Sequence, residues 1–162
     1  MHAKAVVGFG LLFLTACSSG ESPSLGSEGP QPSTYSSGEA QVELTGDLEQ
    51  SLDLTLAADR EQSYEDGQVS LEWEDADGNF MSIRATPKDG EADARSEETP
   101  LLVNFYANEQ SFSSAATDTC AVSFDQLEPD AINGTLTCNN LRLPEGTGFG
   151  TVSAEGSFSA AA

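Results

Sequence analysis

Basic residues are scarce in this chain, which has 6 Lys+Arg against 27 Asp+Glu and a formal charge of −21. Neutralising nucleic-acid phosphates needs a cluster of cations, and none is present, so a nucleic-acid partner is excluded. Polybasic attachment to anionic lipid fails on the same ground. Histidine is scarcer still: His2 is the only one. One imidazole at the second residue cannot furnish a Ser–His–Asp or Cys–His nucleophile, nor a histidine-ligated zinc inside a folded domain. No glycine-rich phosphate loop follows a strand pattern. Aromatic platforms for sugars are few, with one Trp and three Tyr beside eight Phe. Carboxylates are plentiful, so a glycosidase-like acid pair is the one enzyme chemistry left. Acids this numerous form chance pairs anywhere, and the expectation is a protein that is not an enzyme.

Long apolar runs are also missing. The longest, Ala5 to Leu14, falls short of the about 20 residues that span a bilayer. It does fit the apolar core of a secretory signal, behind the short basic stretch Met1-His2-Ala3-Lys4. Leu14-Thr15-Ala16-Cys17 then follows: an aliphatic residue, two small residues and a cysteine. This resembles the lipobox of bacterial lipoproteins. The resemblance implies that residues 1–16 are a signal peptide, that Cys17 carries a diacylglyceryl group, and that cleavage leaves Cys17 first. Two or more acyl chains hold a protein stably at a membrane, whereas one does so only marginally. The implied location is the cell envelope, outside the cytoplasm. Ser18 follows Cys17; it lacks the Asp that in many two-membrane bacteria retains lipoproteins at the inner membrane, so such a host would place this one at the outer membrane.

Cysteine count fits this reading. With Cys17 lipidated, Cys120 and Cys138 remain as an even pair in an oxidising compartment. Cleavage would remove His2 and Lys4 but no acid, taking the charge from −21 to −22 and leaving Lys88 as the only lysine.

Residues 17–38 read as a lipidated cysteine and a flexible tether rich in Ser, Gly and Pro, with only Leu25 and Tyr35 as sizeable apolar groups. Such composition buries too little to offset its ordering entropy. As a flexible coil, Ser18 to Gly38 would span roughly 25 Å and hold the next domain clear of the head groups.

Residues 39–162 have the size of one domain. Their apolar pattern has period two: Val42 and Leu44; Leu52, Leu54 and Leu56; Val69, Leu71 and Trp73; Met81, Ile83 and Ala85; Leu101, Val103 and Phe105. Weaker alternation runs through Val122, Phe124, Ile132, Leu136, Val152, Ala154 and Phe158. Short alternating runs between turn residues read as half-buried antiparallel strands. Eight or nine strands are expected, with at most a helical turn or two across Ala57 to Glu65. The fold class is all-β, an antiparallel β-sandwich with a small barrel as the alternative. Thr86 to Pro100 reads as a long acidic connection, a kind that is often functional or mobile.

Two hairpins have testable registers. Pairing Trp73 with Met81, Leu71 with Ile83 and Val69 with Ala85 puts six apolar residues on one face. Ser70, Glu72, Glu74, Phe80, Ser82 and Arg84 then occupy the other, and a one-residue slip would destroy the separation. Pairing Val122 with Leu136 and Phe124 with Gly134 sets Cys120 opposite Cys138, around a turn centred on Pro129. Directly opposed strand residues lie within disulfide reach, so a structural Cys120–Cys138 bridge is expected.

Asp75-Ala76-Asp77-Gly78-Asn79 joins the first hairpin. Oxygens of Asp75, Asp77 and Asn79 at alternate positions are a candidate calcium ligand set, resembling the start of an EF-hand loop. The likeness is partial: Gly78 is fourth rather than sixth, and Glu is missing from the twelfth place. Asp, Gly and Asn are also what a hairpin loop requires, and no cofactor is expected. Asn133-Gly134-Thr135 matches a glycosylation sequon, but Asn-Gly in this context reads as a turn or bulge. Three functional expectations remain: a non-enzymatic binding or structural module of the envelope, a calcium-dependent adhesion module, and, least favoured, a carboxylate-based hydrolase. The expected partners are the membrane, through the lipid anchor, and an envelope or other surface component.

Overall fold

The computed structural model describes residues 33–57, 59–60, 62–114, 119–142 and 150–162. They form twelve strands: β1 (Ser33–Thr34), β2 (Glu39–Gly46), β3 (Gln50–Leu56), β4 (Ser63–Glu65), β5 (Gln68–Glu74), β6 (Phe80–Ala85), β7 (Glu91–Asp93), β8 (Leu101–Ala107), β9 (Gln110–Ser113), β10 (Thr119–Glu128), β11 (Ala131–Arg142) and β12 (Thr151–Ala161). Eight of these are the period-two runs; the four short ones, β1, β4, β7 and β9, lack enough residues to display a pattern. No helix occurs among the described residues. Where a helical turn was expected there is a single reverse turn, closed by Arg60 N–H on Ala57 O, and then β4.

All strands join one antiparallel sheet in the order β7-β10-β11-β12-β2-β3-β5-β6-β8-β9, with β4 on β5 and β1 on β4. The sheet does not close into a barrel, so the sandwich and not the barrel alternative is realised. It doubles over at β3 and β5, which share only the pairs Thr55–Glu74 and Leu56–Trp73. On one side of this corner lies layer A (β7, β10, β11, β12, β2, β3). On the other lies layer B (β1, β4, β5, β6, β8, β9). Their inward side chains form a single core. Trp73 of β5 is fully buried, tilts against Phe158 of β12 at 5.5 Å, and donates its indole N–H to Ser159 O at 3.0 Å. Burying side chains of this size contributes roughly 1.5–3 kcal/mol each relative to exposure.

The β5–β6 register is the expected one throughout, from Val69–Ala85 to Glu74–Phe80. The β10–β11 register also holds from Cys120–Cys138 to Phe124–Gly134, then shifts by one residue at a bulge between Phe124 and Gln126. The bulge moves the turn centre from Pro129 to the pair Pro129-Asp130, because Glu128 now opposes Ala131. Asn133-Gly134 lies within β11, beside this bulge rather than in a turn. Gly134 is required by close approach: a Cβ there would stand 2.2 Å from Ser123 O and 3.0 Å from the Phe158 ring. Its missing side chain lets Phe124 and Phe158 meet edge to face across β11 at 5.7 Å.

Two boundaries differ from composition. The folded domain begins by Ser33 rather than at residue 39. Ser33–Thr34 pairs with β4, Tyr35 is buried in the core, and Ser36 and Ser37 N–H both bond Ala161 O. One aromatic ring, with its hydroxyl donating to Glu128 O at 2.9 Å, outweighs the polar residues around it. The segment thereby straps layer B to layer A. Secondly, Thr86 to Pro100 is not a featureless connection. It crosses to layer A, adds β7 beside β10, buries Ala92, and returns through bonds from Asp93 N–H to Thr99 O and from Thr86 N–H to Pro100 O. A small alanine in an acidic run gave no period to read.

Candidate functional site

The two outward faces of the sandwich differ in chemistry. Layer A presents carboxylates, amides and hydroxyls: Gln41 and Glu43 of β2, Asp53 of β3, Glu155 of β12, and Thr135 and Thr137 of β11. No aromatic side chain among its described strand residues points outward. Layer B is mixed, and strand register arranges it in three rows. One row runs Ser63, Ser70, Arg84, Leu102 across β4, β5, β6 and β8. The next runs Glu72, Ser82, Asn104, Ser113 across β5, β6, β8 and β9. The third runs Glu74, Phe80, Tyr106, Ser111.

Small side chains in the first row leave a trough. One groove of about 560 Å³ lies among Ser63, Glu65, Ser70, Arg84, Thr86 and Leu102. A second, of about 400 Å³, lies among Arg60, Ser63, Ser70, Glu72, Ser82 and Arg84. Both share Ser63, Ser70 and Arg84, so they form one continuous depression. Gln62 shapes its end. Its buried amide donates to Ala57 O at 2.8 Å and accepts Glu72 N–H at 2.7 Å, filling the gap where the edge of β5 passes from β4 to β3.

Arg60 pairs with Glu72 at 3.6 Å. Arg84 is exposed, and its guanidinium has neither hydrogen bond nor ion pair among the described residues. Leu102, 39% exposed, is the one large hydrophobic residue standing open among the described residues. In the second row, Asn104 Nδ2 donates to Ser82 Oγ at 3.1 Å. In the third, Phe80 and Tyr106 are half-buried rings lying nearly parallel, 7° apart with centroids at 5.8 Å.

The residues singled out from sequence lie elsewhere. Cys17 is outside the described residues. Cys120 and Cys138 form a buried disulfide with Cα atoms 4.0 Å apart, at the end of the β10–β11 ladder away from its turn. Asp75 and Asn79 are brought together as partners of each other. Asp75 Oδ1 accepts the N–H groups of Asp77 and Asn79, both at 2.9 Å, and Oδ2 accepts Asn79 Nδ2 at 2.7 Å. Gly78, with φ of +83°, completes the turn. Asp77 contributes its N–H rather than its carboxylate. Burial by itself raises the Asp75 pKa, but bonds from Asn79, Asp77 and Gly78 together carry it below its ordinary value. These contacts close a hairpin loop. No group of three or more His, Cys, Asp or Glu suited to a metal occurs among the described residues.

The layer B face was half legible. Six of its residues appeared as the polar side of one hairpin, but Leu102, Asn104 and Tyr106 join them only through the β6–β8 pairing. No family model, curated protein or solved structure matches this chain.

Proposed function

We propose that this protein is a lipid-anchored lipoprotein of the cell envelope whose β-sandwich is a non-enzymatic binding module, with the outward face of layer B as its binding surface. The carrying observation is the difference between the two faces: grooves occur on both, but only layer B combines one with half-buried aromatic rings, an exposed leucine and a guanidinium without an ion pair among the described residues. A surface needed only for solubility has no use for that combination in a chain with 27 acids. Lipidation is supported by Leu14-Thr15-Ala16-Cys17, and by a disulfide that leaves Cys17 as the sole remaining cysteine. Cys17 anchors the chain, and the residues before Ser33 carry the module away from the lipid.

Anchoring is tested by labelling with a palmitate analogue. The native protein takes the label, and Cys17→Ala loses it and leaves the membrane fraction; an unlabelled native protein would end the anchoring reading. Binding is tested by placing a photo-crosslinking residue at Leu102, with Thr135 on layer A as control. A discrete adduct from Leu102 alone is expected on intact cells. No adduct, or the same pattern from both faces, counts against the module.

A further inference from the structure

Two outward side chains of layer B carry opposite charge and have no ion pair among the described residues: Arg84 of β6 and Glu74 of β5. They stand in the first and third rows, on either side of the row Glu72, Ser82, Asn104. Four residues of strand separate the outer rows, about 13 Å, so the two cannot meet within one copy. Leu102 and Tyr106 of β8 are arranged in the same way, one in each outer row. Complementary features at equal distances from a middle row are what an isologous contact requires, because a two-fold axis along that row exchanges the outer ones.

Laying one face on another by this operation stacks the sheets about 10 Å apart, with strands within about 30° of parallel. Glu74 of each copy then sits over Ser70 of the other, in the trough that small Ser63 and Ser70 leave beside Arg84. Acid and guanidinium become partners twice over. Leu102 of each copy meets the half-buried Tyr106 of the other. The middle row does not obstruct the approach. Ser82 is small and buried, and Glu72, next to its own image, is already paired with Arg60. Asn104 gives one amide N–H to Ser82 and retains a second N–H and a carbonyl oxygen for reciprocal bonds across the axis.

Charge and chain direction favour the same arrangement. The central strands of layer A present Glu39, Glu43, Asp53 and Glu155 outward with no Lys or Arg among them, so two copies repel there. Layer B sets Arg60 and Arg84 against Glu65, Glu72 and Glu74. The axis runs across the strands, so the β1–β4 side of the sheet lies at the same end in both copies. The chain enters the fold there, and two copies anchored through it reach one membrane. Three rows across five strands cover roughly 500 Å², below the about 800 Å² per partner of a typical stable complex. The contact is therefore weak in free solution and is strengthened by confinement of both copies to one surface.

We infer that two copies of this chain pair through the outward faces of layer B, about a two-fold axis along the row Glu72, Ser82, Asn104, with reciprocal Arg84–Glu74 bridges. This rests on the reading of the same face as a binding surface and names its partner.

The test uses the full chain expressed in a bacterial envelope, with the photo-crosslinking residue at Leu102. Ultraviolet light should give an adduct of twice the chain mass that contains only this protein. Arg84→Glu and Glu74→Arg should each lower its yield by about tenfold, because each variant sets like charges against one another twice. Co-expressing the two single variants should restore the adduct between them, and so should the double variant, since both recreate opposite charges at every contact. The near-ultraviolet dichroism of buried Trp73 verifies that each variant folds. A dimer adduct indifferent to both reversals, or reversals that stay weak when combined, overturns the inference. If Leu102 crosslinks only to a different protein, the dimer falls and the binding module stands. If it crosslinks to nothing, both fall.

Discussion

Removing the disulfide gives a worked test of how this sandwich is stabilised. The bridge closes a loop with a sequence separation of 18. In the chain-entropy model a loop of that size raises the free energy of the unfolded chain by about 3 kcal/mol. Both cysteines are buried against the core, so the choice of replacement matters. Cys120→Ala with Cys138→Ala removes the link while keeping the site apolar, and should cost about 3 kcal/mol. Cys120→Ser with Cys138→Ser also buries two hydroxyls, each costing about 1–3 kcal/mol if left without a partner. The serine pair should therefore be the less stable by at least about 1 kcal/mol. Urea unfolding followed by tryptophan fluorescence measures both, since Trp73 is fully buried in the folded state. The slope with urea should steepen in both variants, because an unlinked unfolded chain exposes more surface. A loss below about 1 kcal/mol for the alanine pair, with an unchanged slope, would refute the loop-closure account.

Three further outcomes follow from particular residues. The phenol of Tyr35 is pushed up to about 12, mainly by burial and then by Tyr64 and Asp130. Its folded value thus exceeds the ordinary one near 10, so the stability it contributes is complete below pH 10 and is lost as pH rises toward 12; absorbance at 295 nm should place its ionisation after that of exposed tyrosines, and Tyr35→Phe should abolish that late step. Glu109 has φ of +62° in the β8–β9 turn, whereas the turns at Asp66-Gly67 and Asp89-Gly90 put glycine in the equivalent place. Glu109→Gly should raise stability by about 0.5–1 kcal/mol in thermal unfolding, and a destabilised variant would show that the carboxylate has a role the backbone does not reveal. Glu155 stands directly opposite Glu43 on adjacent strands. Glu155→Gln should stabilise by about 0.5 kcal/mol at low ionic strength, with the gain fading in 1 M salt, where the Debye length is about 3 Å; a gain independent of salt would point to packing instead of repulsion.

What the sequence determined by itself were properties carried by spacing. Alternation of Val69, Leu71 and Trp73 against Met81, Ile83 and Ala85 admits one register only, because a slip exposes the whole set. Cys120 and Cys138 fall opposite each other by the same constraint, and the bulge at Phe124/Gln126 lies beyond them, so it did not disturb the match. Tertiary structure decided matters of pairing between distant segments. Tyr35 looked like a tether residue because its neighbours are polar, yet one ring can be buried when Glu128, 93 residues away, accepts its hydroxyl. Strand β7 carries a single buried alanine, too little for a periodicity, and exists because β10 offers it a ladder. The candidate binding face is the sharpest case. Phe80 and Arg84 shared the outward side of one hairpin in the sequence, but nothing there placed Leu102 and Tyr106 beside them. The partner of β6 across Thr86 to Pro100 could be β8 or another strand, since alternation sets which side a residue faces but not which strand lies beside it. Only the β6–β8 ladder made one surface of them.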